Sequence, residues 1–157
     1  MRLTDVLVAG RILVDLDGGF VHGKVDALRL LSSLLAPAVG APKDQIEKLL
    51  SDREQVQSTG IGDGVGIPHA FIESATRQEA ALLLCPLGVP FDAIDGQNCT
   101  ILFGVVGPRR PGEHLKLLAR ISRMLRDADT RSRLVHSEDA EAAYQLIRNH
   151  DEAMGAV

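Results

Sequence analysis

The chain has 157 residues, of which 45% are hydrophobic, 24% charged and 3% aromatic, with a formal net charge of −4. That length suits one domain with a core of its own, placed here at residues 1–150, and the balance is that of an ordinary globule. A mildly acidic chain argues against binding to a phosphate backbone, so no nucleic-acid partner is expected.

In chain order, RILVDL at 11–16 reads as a short strand followed by the turn residues DGG at 17–19. The N-terminal stretch before it lacks a basic region leading into a long apolar run. No apolar run anywhere approaches the roughly 18 residues that span a bilayer. A cytoplasmic protein without membrane insertion is expected. KVDALRLLSSLLA at 24–36 places Ala27, Leu28, Leu31, Leu34 and Leu35 on one stripe of a helix, closed by Pro37 and Gly40. A second helix is expected over PKDQIEKLL at 42–50, with Pro42 near its first turn.

A glycine-rich segment follows, expected as a loop. EAALLLCPL at 79–87 and CTILFGVVG at 99–107 are continuous apolar runs of strand length, which suit strands buried on both faces. GVPFDAIDGQN between them is turn-rich, and its Asp92 and Asp95 read as turn residues. After the loop GPRRPGE, a helix is expected from His114, with Leu117, Leu118, Ile121, Met124 and Leu125 on one face. SEDAEAAYQLIRNH at 137–150 is the last helix, and residues 151–157 are expected to fray. Helices at both ends with strands between give an α/β or α+β domain.

The segment STGIGDGVGIPH, residues 58–69, carries four glycines and ends on Pro68-His69. It is not a phosphate loop, because no Lys-Ser or Lys-Thr follows the glycines, and no GxGxxG spacing occurs in it. No histidine pair falls at metal-ligand spacing, and Cys85 and Cys99 sit in apolar runs as small hydrophobes, so no metal and no cofactor are expected. His69 is then either a turn histidine satisfied by its own backbone or a ring presented to a partner. Small residues before it would let a large partner approach, and would leave backbone N–H groups free to face an anion. A neutral imidazole there is a nucleophile near physiological pH. His114, near a helix start, is either a capping histidine or a neutral ring that shares an anion. Arg53 after a helix is a solvated charge unless folding brings it to His69; Arg109 and Arg110 read as solvated loop charges. No GxSxG or exposed cysteine supports a hydrolase.

These residues resemble the active-site segment of the EIIA proteins of the bacterial phosphotransferase system, in the mannitol/fructose and nitrogen-regulatory branch. The resemblance rests on Arg53-Glu54, on Ser58-Thr59-Gly60-Ile61-Gly62, on Ile67-Pro68-His69, on FDAIDGQ at 91–97 and on the His-Leu helix EHLKLLARISRML at 113–125. It implies a mixed central β-sheet flanked by helices on both faces. It also implies that His69 accepts a phosphoryl group on its tele nitrogen, that His114 lies beside it and stabilises that group, and that Arg53 supplies charge. The loop Ser58, Thr59, Gly60, Gly62 and Pro68 would support the site. The implied partners are an HPr-like phosphocarrier and either regulated target proteins or an EIIB domain. The glycine-rich pattern favours a nitrogen-regulatory EIIA. A sugar-specific EIIA of the fructose/mannitol type, or a binding module that is never phosphorylated, are the alternatives. Two positions depart from the pattern: Phe71 replaces a basic residue common two places after the histidine, and Gly66 replaces a common Ala.

Overall fold

The computed structural model describes residues 1–155. In chain order these form β1 (Ile12–Val14), α1 (Lys24–Val39), α2 (Lys43–Val56), β2 (Gly60–Gly62), β3 (Val65–Gly66), β4 (His69–Phe71), β5 (Glu79–Val89), β6 (Cys99–Gly107), α3 (Pro111–Arg126), α4 (Ala128–Val135) and α5 (Ala140–Met154). The sheet runs β1-β5-β6-β3-β2, and β4 also pairs with β6. The β5–β6 pair is antiparallel, whereas β1 runs parallel to β5, and β3 and β4 parallel to β6, so the sheet is mixed.

Both central strands are buried on both faces because their apolar runs do not alternate with polar residues. With a side-chain period of two, Ala81, Leu83 and Cys85 of β5 pack with Leu28, Leu31 and Leu35 of α1 and with Ile46 and Leu50 of α2. Ala80, Leu82 and Leu84 pack on the opposite face with Leu117, Ile121 and Met124 of α3 and with Ile147 of α5. Helices therefore flank the sheet on both sides. Each fully buried leucine of this kind contributes roughly 1.5–3 kcal/mol. No helix among the described residues is long and apolar enough to cross a membrane. Cys85 and Cys99 are buried free thiols, and burial pushes them up to about 12 and about 11.

Several boundaries differ from the sequence reading. α1 passes through Pro37 and ends at Gly40, whose φ of 63° makes it the left-handed cap. Pro37 lies in the last turn and has no N–H to donate to the Ser33 carbonyl, so the helix forgoes that one ladder bond. α2 runs on to Val56 and carries Arg53 and Glu54 in its last turn. The glycine-rich segment is not a loop: β2 and β3 form an antiparallel hairpin, and β4 follows it. α3 starts at Pro111 rather than His114, with the proline at its first turn. α4 was not anticipated; its signal is Asp127, whose side chain accepts from Thr130 N–H as an N-cap. The expected tail at 151–157 is helical in its first four residues. α5 continues to Met154, and the Asp151 carboxylate accepts from Leu3 N–H and Thr4 N–H and from Arg120. Those bonds tie the last turn to the N-terminal segment; residues 156 and 157 lie outside the described part.

Candidate functional site

The site is built where β3 and β4 share one edge of β6. Val65 and Gly66 pair with Ile101 and Leu102, then His69, Ala70 and Phe71 pair with Val105, Val106 and Gly107. Ile67 and Pro68 lie between the two ladders. Pro68 has no N–H to give, but its carbonyl accepts from Val105 N–H at 2.9 Å. Ile67 N–H donates to the Thr59 carbonyl at 3.0 Å, and the Ile67 carbonyl accepts from the His69 ring.

That last contact decides the chemistry of His69. Nδ1 lies 2.7 Å from the Ile67 oxygen, and a carbonyl can only accept, so Nδ1 carries the proton. In the neutral ring Nε2 is then the free lone pair. Burial holds the ring's pKa below its ordinary value, against the pull of the Ile67 carbonyl; Arg53 lowers it further and Glu54 opposes that. His69 is only half-buried. The result is a neutral, partly accessible imidazole whose Nε2 is available as a nucleophile.

Around it lies a cavity of about 440 Å³ whose walls include Arg53, His69, Phe71, Arg109, His114 and Leu118. Arg53 reaches it from the end of α2, where it also donates to the Gln57 carbonyl at 2.8 Å. Its guanidinium is a fixed positive charge beside His69. His114 comes from the first turn of α3. Its ring centroid is 5.3 Å from that of His69 and 4.8 Å from that of Phe71. The ring is buried, and burial, then His69, push its pKa down to about 4. Burial rather than free helix N–H groups keeps it neutral: its own N–H donates to the Arg110 carbonyl at 3.0 Å.

His69, His114 and Arg53 thus meet in one cavity. The supporting loop is arranged differently from expectation. Ser58 Oγ donates to the Phe91 carbonyl at 2.9 Å and accepts from Gly60 N–H at 3.1 Å. Thr59 is clamped by the buried Glu54 carboxylate, which accepts from Thr59 N–H at 3.0 Å and also from its hydroxyl. Asp63 N–H donates to Asp95. These donors are spent inside the fold, so they form no open nest for an anion.

Nor do the glycines thin the surface around His69. A methyl at Gly60 would lie 2.7 Å from the Ala93 backbone, and one at Gly66 would lie 2.7 Å from Leu102. Gly62 and Gly64 have φ of 97° and 78° and turn the hairpin. The glycines are there for close packing and for a tight turn. Asp95 is a turn residue, as expected, and accepts from Asp63 N–H and Gln97 N–H; Asp92, at a φ of 54°, lies 3.5 Å from the Lys24 ammonium instead.

Four residues have roles here that the sequence reading did not assign. Glu54 clamps the loop, and a carboxylate beside a site arginine was a signal for it. Phe71 lies against His114, and Arg109, expected as a solvated charge, sits 4.8 Å over the Phe71 ring. Gln78 bonds the His114 ring from 36 residues away, which no local pattern announces. Among the described residues no group of three or more potential ligands is placed to hold a metal ion.

Known proteins share this chain's sequence pattern and fold. The family described as "Phosphoenolpyruvate-dependent sugar phosphotransferase system, EIIA 2" matches residues 13–150. A nitrogen regulatory protein of Pseudomonas aeruginosa is 37% identical over 149 residues, covering 94% of this chain and 95% of that protein. A fructose-specific EIIA component of Haloferax volcanii is 32% identical over 106 residues, covering 67% of this chain and 69% of that one. The crystal structure of the nitrogen regulatory protein IIA-Ntr from Neisseria meningitidis superimposes with a TM-score of 0.84 at 26% identity, covering 91% of this chain and 97% of that chain.

Proposed function

Because this chain belongs to the EIIA 2 family of the phosphoenolpyruvate-dependent sugar phosphotransferase system, we propose that His69 accepts a phosphoryl group on Nε2 from an HPr-like phosphocarrier, in a regulatory EIIA of the nitrogen branch. The observation that carries the reading is the Ile67 carbonyl on His69 Nδ1, which leaves Nε2, the tele nitrogen, as the nucleophile. In the transfer the donor's P–N bond breaks, its electron pair returns to the donor ring, and a new P–N bond forms at Nε2. The protein does little covalent work in such a step; positioning and charge carry it. Arg53 offsets the charge of the group in flight. His114 stands beside it. The open cavity lets two proteins bring their histidines together.

The regulatory assignment draws on likeness to the P. aeruginosa and N. meningitidis proteins. The fructose-specific relative from H. volcanii favours a second reading, in which the phosphoryl group goes on to an EIIB domain.

Intact mass after incubation with phosphoenolpyruvate and the general phosphotransfer proteins tests the reading. Wild type gains one phosphate; His69→Ala gains none. His114→Ala still gains it but loses it faster or passes it on more slowly. Transfer from the phosphorylated protein to a fructose- or mannitol-type EIIB would favour the sugar-specific reading. A wild-type protein that stays unmodified would refute both.

A further inference from the structure

We propose that Gln78 is a positioning residue that keeps the His114 proton on Nδ1 and Nε2 bare, so that His114 stabilises a phosphoryl group on His69 only by taking up a proton at Nε2. The second half of this rests on the phosphoacceptor reading above; the first half does not.

Gln78 is fully buried, just before β5. Its amide orientation is set by Pro108. The Pro108 carbonyl can only accept, so the amide atom facing it at 3.3 Å must be Nε2. Oε1 is therefore the atom 3.0 Å from His114 Nδ1. An amide oxygen also only accepts, so Nδ1–H donates to it, and in the neutral ring Nε2 is a lone pair. That Nε2 is buried and has no hydrogen-bond partner among the described residues. An unpartnered buried acceptor is costly and calls for a reason. Gly107 supports the arrangement, because a methyl there would overlap the Gln78 amide.

The surroundings favour a proton on that nitrogen once an anion arrives. Facing His114 from β4 are the rings of His69 and Phe71. The charges on the cavity wall are Arg53 from α2 and Arg109 from the loop before α3, and among the described residues no carboxylate lines it. Glu54, behind Arg53, acts on His69. On α3 itself Glu113 is 3.9 Å from Arg110. With no anion bound, burial keeps His114 neutral down to about pH 4. A phosphoryl group on His69 changes this: its oxygens repel a lone pair at Nε2 and attract an N–H there. The proton comes from solvent hydronium: its O–H bond breaks, an N–H bond forms at His114 Nε2, and water is left behind; the only other exchange is the P–N pair of the transfer.

Long-range proton–nitrogen NMR on protein with labelled imidazoles reads the ring directly, free and after phosphorylation by phosphoramidate or by the general phosphotransfer proteins. In the free wild type at pH 7, His114 is expected as the Nδ1–H tautomer. Gln78→Leu should lose that preference, and Gln78→Glu, which keeps an acceptor, should retain it. An Nε2–H ring in the wild type, or an unchanged preference in Gln78→Leu, overturns the role of Gln78 whatever happens at His69. In the phosphorylated wild type the His114 titration midpoint should rise by about one to three pH units, the size of shift an adjacent unlike charge produces. An unmoved midpoint in protein that carries the phosphate overturns the proton uptake. Failure of His69 to take phosphate from either donor overturns the functional reading and the uptake with it, while the tautomer in the free protein still decides Gln78.

Discussion

Replacing Gly60 by Ala separates the two explanations of the glycine-rich segment. If the glycines kept the surface around His69 open, a methyl at position 60 would mainly hinder a docking partner. The structure says instead that the methyl meets the Ala93 backbone and Cβ at 2.7 Å, with Ser58 Oγ at 3.3 Å. Backbone on the far side cannot swing away as a long side chain can, and the Gly60 carbonyl also accepts from Ile94 N–H at 3.1 Å. Overpacking of this kind costs about 1–3 kcal/mol. For 157 residues the unfolding entropy is about 330 cal/mol/K, at about 2.1 cal/mol/K per residue, so Tm should fall by about 3–9 °C. Calorimetry at fixed pH measures it, with Gly112→Ala as a control. Gly112 lies within α3 with nothing within 4 Å of the added methyl, and alanine there should raise stability by a few tenths to about 1 kcal/mol. A Gly60→Ala protein melting within a degree of wild type would refute the packing account.

Asp151→Ala should be among the most destabilising single changes, by about 3–5 kcal/mol, because it strands two backbone N–H donors and the buried Arg120; urea unfolding checks it, and a loss under 1 kcal/mol would contradict the packing of the last turn. His114 is held below its unfolded-state pKa, so protons bind the unfolded chain preferentially between about pH 4 and 6.5. Its contribution to stability is complete above about pH 6.5 and falls as pH drops toward 4, at up to about 1.4 kcal/mol per pH unit. The slope should shrink in His114→Phe, and an equal slope in both would rule the group out. Arg53→Gln should slow phosphoryl acceptance by about tenfold without abolishing it. The guanidinium is partly solvated and cannot match the hundred- to thousandfold effect of a buried donor. Rapid-quench transfer kinetics measure it, and an unchanged rate would remove Arg53 from the site. The acceptance rate in wild type should fall with acid at a lower pH than an ordinary histidine would give, because burial holds the free His69 ring's pKa down; a midpoint at or above the ordinary histidine value would mean that the ring is not held neutral.

By itself the sequence determined what is local. The doubly apolar runs of β5 and β6 could only be buried strands, since neither face offered anything for water. The leucine spacing of α1 and the stripe of α3 left one face each for the core. The Pro-His step marked a histidine whose backbone is constrained, and its resemblance to a known family named the neighbours. Only the tertiary structure decided which atom of that histidine is free, because the answer is the carbonyl of Ile67, two residues back and between two strand pairings, which faces the ring. It also reassigned the glycines, from openness around the ring to contact with the 91–95 turn, which lies about thirty residues further along. Gln78 and Asp151 were illegible for the same reason. Each acts by hydrogen bonds to residues 30 to 148 positions away, and the direction of a hydrogen bond is a property of atoms brought together by the fold, not of their spacing along the chain.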